Sequence, residues 1–179
     1  MDKHDRIMVR RWPRRGYRAG MQRDPSGARV YVTLDDGVTH LSLVPAQLRA
    51  LLDVRSGRAA PGTLEALLLG GGPIPPRLVS GARAQGYRVL TTYGMTETGM
   101  NLSNPYAGTR QPGSVGLPLP GSAVRIVDPD TLEDLPQGEA GLILIGGTQI
   151  MKGYLDDEAK TAEAIVEKDG VRWYKTGDK

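Results

Sequence analysis

The sequence predicts an α/β fold, in which a βαβ parallel-sheet portion is followed by a small antiparallel β lobe. Three observations carry that prediction. Two short apolar runs, residues 64–69 (LEALLL) and 87–92 (YRVLTT), flank a segment of helix length, which is the spacing of a parallel crossover. Glycine and proline, 24 and 13 of 179 residues, stand as brief punctuation between apolar runs, so loops are many and tight. Past residue 121, short β-branched runs alternate with turn residues at hairpin distance.

Each element has a local reason. Residues 29–34 (RVYVTL) alternate and are β-branched, a strand closed by Asp35-Asp36-Gly37. Residues 38–44 (VTHLSLV) form a second strand, with His40 half-buried within it. Pro45 then opens a helix that puts Leu48, Leu51 and Leu52 on one face. Residues 64–69 fit strand or helix by periodicity alone. Their length and the Gly70-Gly71-Gly72 that ends them select a strand. Pro75-Pro76 start the crossover helix and Gly86 ends it. Residues 101–121 read as an irregular polar stretch, followed by strands over 123–127 and 141–145 around a turn at 130–138. A helix over 158–167 is expected to turn Ala159, Ala162 and Ile165 inward, with Asp156, Asp157 and Glu158 complementing its dipole. Residues 172–174 form a last strand running into Thr176-Gly177-Asp178-Lys179.

Composition excludes several chemistries. Without cysteine there is no disulfide, thiolate zinc site, iron–sulfur cluster or cysteine nucleophile. No apolar run approaches the roughly 20 residues of a membrane helix, and no signal-peptide core follows the basic start. Charge is uneven. Residues 1–30 hold nine basic side chains against three acidic ones, a net of +6 that leaves residues 31–179 at −3 within the overall +3. A basic arm can meet nucleic acid or anionic lipid, but Pro13, Gly16, Gly20, Pro25 and Gly27 scatter through it without a helical stripe. It reads first as a solvated extension, with His4 inside it and no nucleic-acid role; Trp12 and Trp173 read as packing residues.

Ligands of parallel sheets bind beyond the carboxyl ends of the strands. Gly70, Gly71 and Gly72 lie there, where they permit close backbone approach of a flat ligand or phosphate; a tight turn that needs positive φ is the simpler explanation of three glycines alone. One crossover later, Tyr93-Gly94-Met95-Thr96-Glu97-Thr98-Gly99 offers a ring, two hydroxyls and a carboxylate, the parts of a nucleotide and Mg²⁺ site or of a capped turn.

The stretch Thr92–Thr98 resembles the signature of the adenylate-forming (AMP-binding) superfamily, in its acyl- and aryl-CoA synthetase branch. Four further segments resemble that family in its own order: LLLGGGPIPP (67–76), QPGSVGLPLPG (111–121), GEAGLILIGGTQIMKGY (138–154) and YKTGD (174–178). Residues 98–106 with 110–113 are most similar to malonyl-CoA synthetases, and 41–45 with 67–76 to o-succinylbenzoate-CoA ligases; 147–153 and 174–179 resemble acyl-[acyl-carrier-protein] synthetases. The resemblance implies that Tyr93 packs against adenine, with Gly94 among the nucleotide-binding residues, that Thr96 hydrogen-bonds the α-phosphate, and that Gly70, Gly71 and Gly72 line the space between adenine and acyl group. It further implies that Glu97 binds Mg²⁺ and Asp178 accepts from the ribose hydroxyls. The implied activity uses ATP, Mg²⁺ and CoA. It activates a small carboxylic acid as acyl-adenylate and passes it to CoA or a carrier-protein thiol, with Thr96 and Glu97 as the catalytic pair. Arg110 would reach a second carboxylate if the acid is a diacid; otherwise it is a surface arginine. The chain divides into a basic extension (1–30) that does not match the family, an α/β nucleotide-binding portion (31–100) and a β-rich lobe ending at the ribose-binding turn (101–179). The resemblance describes part of the family's large domain, with the phosphate loop upstream and the lysine-bearing domain downstream, in a cytoplasmic protein. A truncated piece limited to weak AMP binding is the alternative.

Overall fold

The computed structural model describes residues 21–23, 29–31 and 37–179. The rest of the basic segment 1–30, with His4 and Trp12, lies outside the described residues, as do 32–34 of the first expected strand. The described strands β1 (Met21–Arg23) and β2 (Arg29–Tyr31) pair antiparallel.

Two compact units emerge, one of residues up to Thr92 with Asn104–Ser114, the other of Tyr93–Ser103 with Val115–Lys179. In the first, β3 (His40–Leu43), β4 (Ala66–Leu69) and the start of β5 (Val89–Met95) lie side by side and parallel, with Leu43 opposite Leu69 and Leu69 opposite Thr91. This is the expected βαβ arrangement. Helix α1 (Pro45–Arg55) buries Leu48 and Leu51 and half-buries Leu52, while α2 (Pro76–Ala84) buries Ala82. These side chains close over Leu41, Leu67, Leu69, Tyr87 and Val89 in one apolar core. Burying a leucine of this kind contributes roughly 1.5–3 kcal/mol. His40, placed within the strand by its pattern, stands at its exposed first position, its Nδ1 2.9 Å from Thr39 Oγ1.

In the second unit β5 continues through Tyr93, Gly94 and Met95, residues that the sequence places in a loop. It turns at 96–98 into β6 (Gly99–Ser103), and β7 (Leu117–Pro118) pairs antiparallel with β6. The stretch 101–121 is therefore less irregular than its composition suggests. Beside this hairpin stands an antiparallel sheet in the order β10-β11-β9-β8, built from β8 (Ser122–Val127), β9 (Leu142–Gly147), β10 (Ile165–Lys168) and β11 (Val171–Lys175). Its core joins Val127, Leu144 and Trp173.

The last helix is shorter than the sequence implies. Helix α3 (Glu158–Ala164) ends where Ile165 and Val166 leave it to pair with Tyr174 and Trp173 as β10. β-branched residues gain more on a ladder than in a helical turn. Ala159 and Ala162 are exposed, and Ile165 is half-buried on the strand. The acidic start behaves as expected: Asp157 caps the helix, its Oδ1 accepting the Lys160 amide at 2.9 Å.

Candidate functional site

The signature hairpin is the first component. At Gly94 any Cβ would collide with the carbonyl of Gly99 and the Cα of Met100, so the two strands approach as closely as they do only because residue 94 has no side chain. The turn is locked from inside. The Thr98 hydroxyl donates to Asn101 Oδ1 at 2.5 Å, Asn101 Nδ2 donates back to the Thr98 carbonyl at 2.9 Å, and both residues are fully buried. Thr96 stands exposed in the turn and Glu97 is half-buried beside it. Removing the Thr98 hydroxyl would leave a buried amide oxygen unsatisfied. Thr98→Val should therefore cost about 1–3 kcal/mol, with Thr98→Ser largely preserved, as read by urea denaturation.

The second component is the turn after β11. The Thr176 hydroxyl donates to the Ile143 carbonyl at 2.8 Å and accepts the Asp178 amide at 3.1 Å. The Asp178 carbonyl takes the Ile143 amide at 3.0 Å. The turn is thereby bolted to β9, with the Asp178 side chain exposed at its tip.

These components meet. The Tyr93 hydroxyl donates to Asp178 Oδ2 at 2.6 Å across 85 positions of sequence. Burial first, and the neighbouring Asp178 carboxylate second, push the Tyr93 phenol up from 10.0 to about 12. Below pH 10 the phenol is neutral in folded and unfolded chains alike. Between 10 and 12 the unfolded chain ionises while the folded one does not, so stability should fall across that window. Following unfolding alongside tyrosinate absorbance checks this, and Tyr93→Phe should remove its share of the loss.

Glu97 is held from the other side. Its carbonyl accepts the Met151 amide at 2.8 Å, and its Oε1 accepts the Tyr154 hydroxyl at 3.1 Å. Tyr154 and Tyr174 hydroxyls lie 3.0 Å apart. The Tyr154 phenol is raised, chiefly by its bond to Tyr174, then by burial and by Glu97. Among the described residues no three His, Cys, Asp or Glu side chains cluster as a metal site. A lone, half-braced carboxylate suits Mg²⁺, which typically takes one or two protein carboxylates and fills its remaining positions with phosphate oxygens and water.

In the first unit, two of the three glycines after β4 have structural reasons of their own. A Cβ on Gly70 would strike Thr92 Oγ1, and Gly71 holds a φ of 77° against Val44; Gly72 faces open space. Arg110 donates from Nε to the Pro105 carbonyl at 3.0 Å and from Nη2 to that of Tyr106, so it pins its own loop. Within the second unit the structure thus joins Tyr93 to Asp178, while Gly94, Thr96 and Glu97 follow Tyr93 along the same hairpin. The sequence reading gave no role to the Tyr154 and Tyr174 hydroxyls or to the Thr98–Asn101 lock. The two tyrosines do stand in the motif segments 138–154 and 174–178, which is the signal that marks them.

Residues 16–155 match the protein family described as AMP-binding enzyme. Among curated proteins, 2-succinylbenzoate–CoA ligase of Bacillus licheniformis is 37% identical over 146 residues, covering 80% of this chain and 29% of that protein. The 4-coumarate–CoA ligase-like 4 protein of Oryza sativa is 37% identical over 147 residues, covering 79% and 26%. Among solved structures, ATP-bound MatB from Rhodopseudomonas palustris superposes with a TM-score of 0.73 at 37% identity, over 80% of this chain and 29% of that one. MenE from Bacillus subtilis, in complex with AMP, gives a TM-score of 0.67 at 31% identity, covering 80% and 28%. The chain therefore spans less than a third of the length of these relatives.

Proposed function

The chain belongs to the AMP-binding enzyme family, and on that premise we propose that it forms the nucleotide-holding part of an ATP-dependent acid–thiol ligase. The observation that carries this reading is the 2.6 Å bond between Tyr93 and Asp178, which unites the signature hairpin with the turn 85 positions later. With Oδ2 engaged by Tyr93, Asp178 keeps its second oxygen for ribose hydroxyls, and an ionised acceptor strengthens those bonds. The Tyr93 ring, fixed by its own hydroxyl, offers a face to adenine, with Gly94 beside it. The Thr96 hydroxyl serves the α-phosphate; of the glycines after β4, Gly70 and Gly71 stand against Thr92 and Val44, and Gly72 leaves its backbone open to a ligand. Glu97 would hold Mg²⁺, which offsets phosphate charge when bound.

In the whole enzyme a carboxylate oxygen attacks the α-phosphorus of ATP, the bond to the β-phosphate breaks, and pyrophosphate leaves. A thiol sulfur then attacks the acyl carbon and AMP departs. Both reactants of the first step are anions, so this chain's contribution is positioning and hydrogen bonding at the nucleotide, with no nucleophile of its own. CoA is the acceptor favoured by the relatives' names, with a carrier-protein thiol as the finer alternative and a small carboxylic acid as substrate. Among the described residues no helix is long and apolar enough to cross a membrane. The reading places the enzyme in the cytoplasm, where ATP and CoA are at hand.

Titration of the chain with AMP, followed through Tyr93 resonances, tests the binding half. Saturable shifts are expected, and their absence overturns the reading. ATP–pyrophosphate exchange with malonate, o-succinylbenzoate or a fatty acid tests the catalytic half.

A further inference from the structure

The Glu97 carboxylate belongs to a directed chain of hydroxyls. Tyr154 donates to Glu97 Oε1 at 3.1 Å, and the Tyr174 oxygen lies 3.0 Å from that of Tyr154. A phenol has one proton. Tyr154 has spent its own on the carboxylate, so Tyr174 must supply the proton of the bond between the two tyrosines. The order is Tyr174 to Tyr154 to Glu97, and each donor polarises the next.

Both donors of this relay are anchored. Tyr174 is buried, opposite Ile145 in the ladder of β11 and β9. The Tyr154 amide donates to Thr161 Oγ1 at 2.8 Å, and Lys160 Nζ sits 4.5 Å above its ring. The terminal torsion of a glutamate is otherwise broad, so a free carboxylate must be ordered when a ligand arrives. Here the segment 151–154 grips Glu97 twice, at its carbonyl and at one carboxylate oxygen.

We propose that Tyr154 is a positioning residue, whose hydroxyl holds Glu97 Oε1 so that Oε2 is presented to the divalent cation accompanying the nucleotide phosphates. This rests on the role given to Glu97 above. Tyr154 touches neither nucleotide nor cation; it acts through the carboxylate.

The test uses the whole 179-residue chain with Mn²⁺·ATP as probe, read by the enhancement of water-proton relaxation that arises when the ion is held on the protein. Tyr154→Phe keeps the ring and removes the hydroxyl. It should weaken Mn²⁺·ATP about tenfold, the scale of lost outer-shell support at metal sites, while metal-free AMP affinity and the thermal midpoint stay unchanged. Lys160→Met, which removes the cation over the ring and spares the hydroxyl, should change none of these. Tyr174→Phe should weaken Mn²⁺·ATP less than Tyr154→Phe, and it supplies the answer should the latter lose its fold. If Glu97→Gln weakens Mn²⁺·ATP but neither tyrosine variant does, the positioning role is overturned and the reading of Glu97 stands. If Glu97→Gln has no effect, or the wild-type chain does not hold Mn²⁺·ATP, that reading falls and the positioning role falls with it. Equal losses of AMP and Mn²⁺·ATP in Tyr154→Phe would mark it as a packing residue and overturn the proposal.

Discussion

Asp178→Ala should weaken AMP binding by about tenfold to a hundredfold, the equivalent of losing one charge-assisted hydrogen bond of roughly 1.5–3 kcal/mol. The side chain is exposed at the tip of a turn whose backbone is held by Thr176 and Ile143, so removing it should leave the turn in place. Its loss also frees the Tyr93 hydroxyl, and with it one restraint on the ring offered to adenine. Asp178→Asn should fall between wild type and Ala, because an amide keeps one acceptor and loses the charge. Calorimetric titration with AMP measures both variants. An affinity for the Ala variant equal to that of wild type would remove Asp178 from the nucleotide site.

Trp173→Ala should cost the second unit about 3–5 kcal/mol, the range for deleting a large buried aromatic. The indole is buried and lies flat on Gly146, where an added Cβ would come 2.9 Å from ring atoms. Its Nε1 donates to the Lys168 carbonyl at 3.3 Å, and the Arg125 guanidinium sits 5.4 Å from the ring centroid. Arg125 is itself paired with Asp134 and Asp169. One residue thus ties β9, β10 and β11, and the adjacent residues on β11 carry Tyr174 and lead to Asp178. Loss of AMP binding should therefore accompany the loss of stability. Trp173→Phe should recover most of both. Urea denaturation followed by circular dichroism gives the comparison, and an unchanged midpoint in Trp173→Ala would refute this account of the core.

The elements that were legible in the sequence are those with a local cause. The run at 64–69 closed by three glycines, the prolines that open α1 and α2, and Leu48, Leu51 and Leu52 at helical spacing all announce themselves within ten residues. The βαβ order then implies parallel strands, and β3, β4 and β5 are parallel. The motif segments likewise stand in order along the chain. What stayed hidden depends on a partner. Tyr93–Met95 read as loop because a glycine and polar neighbours interrupt the apolar pattern, yet they extend β5 because β6 folds back on them. Ile165 and Val166 read as the end of a helix until β11 offers them a ladder.

The sequence by itself determined the α/β order, the family and the residue types available to meet a nucleotide, since these follow from periodicity, turn chemistry and linear motifs. Only the tertiary structure decided that Tyr93 meets Asp178, and that Tyr154, with Tyr174 behind it, holds Glu97. A hydrogen bond depends on distance through space, and pairs separated by 85 and 57 positions leave no trace in local spacing.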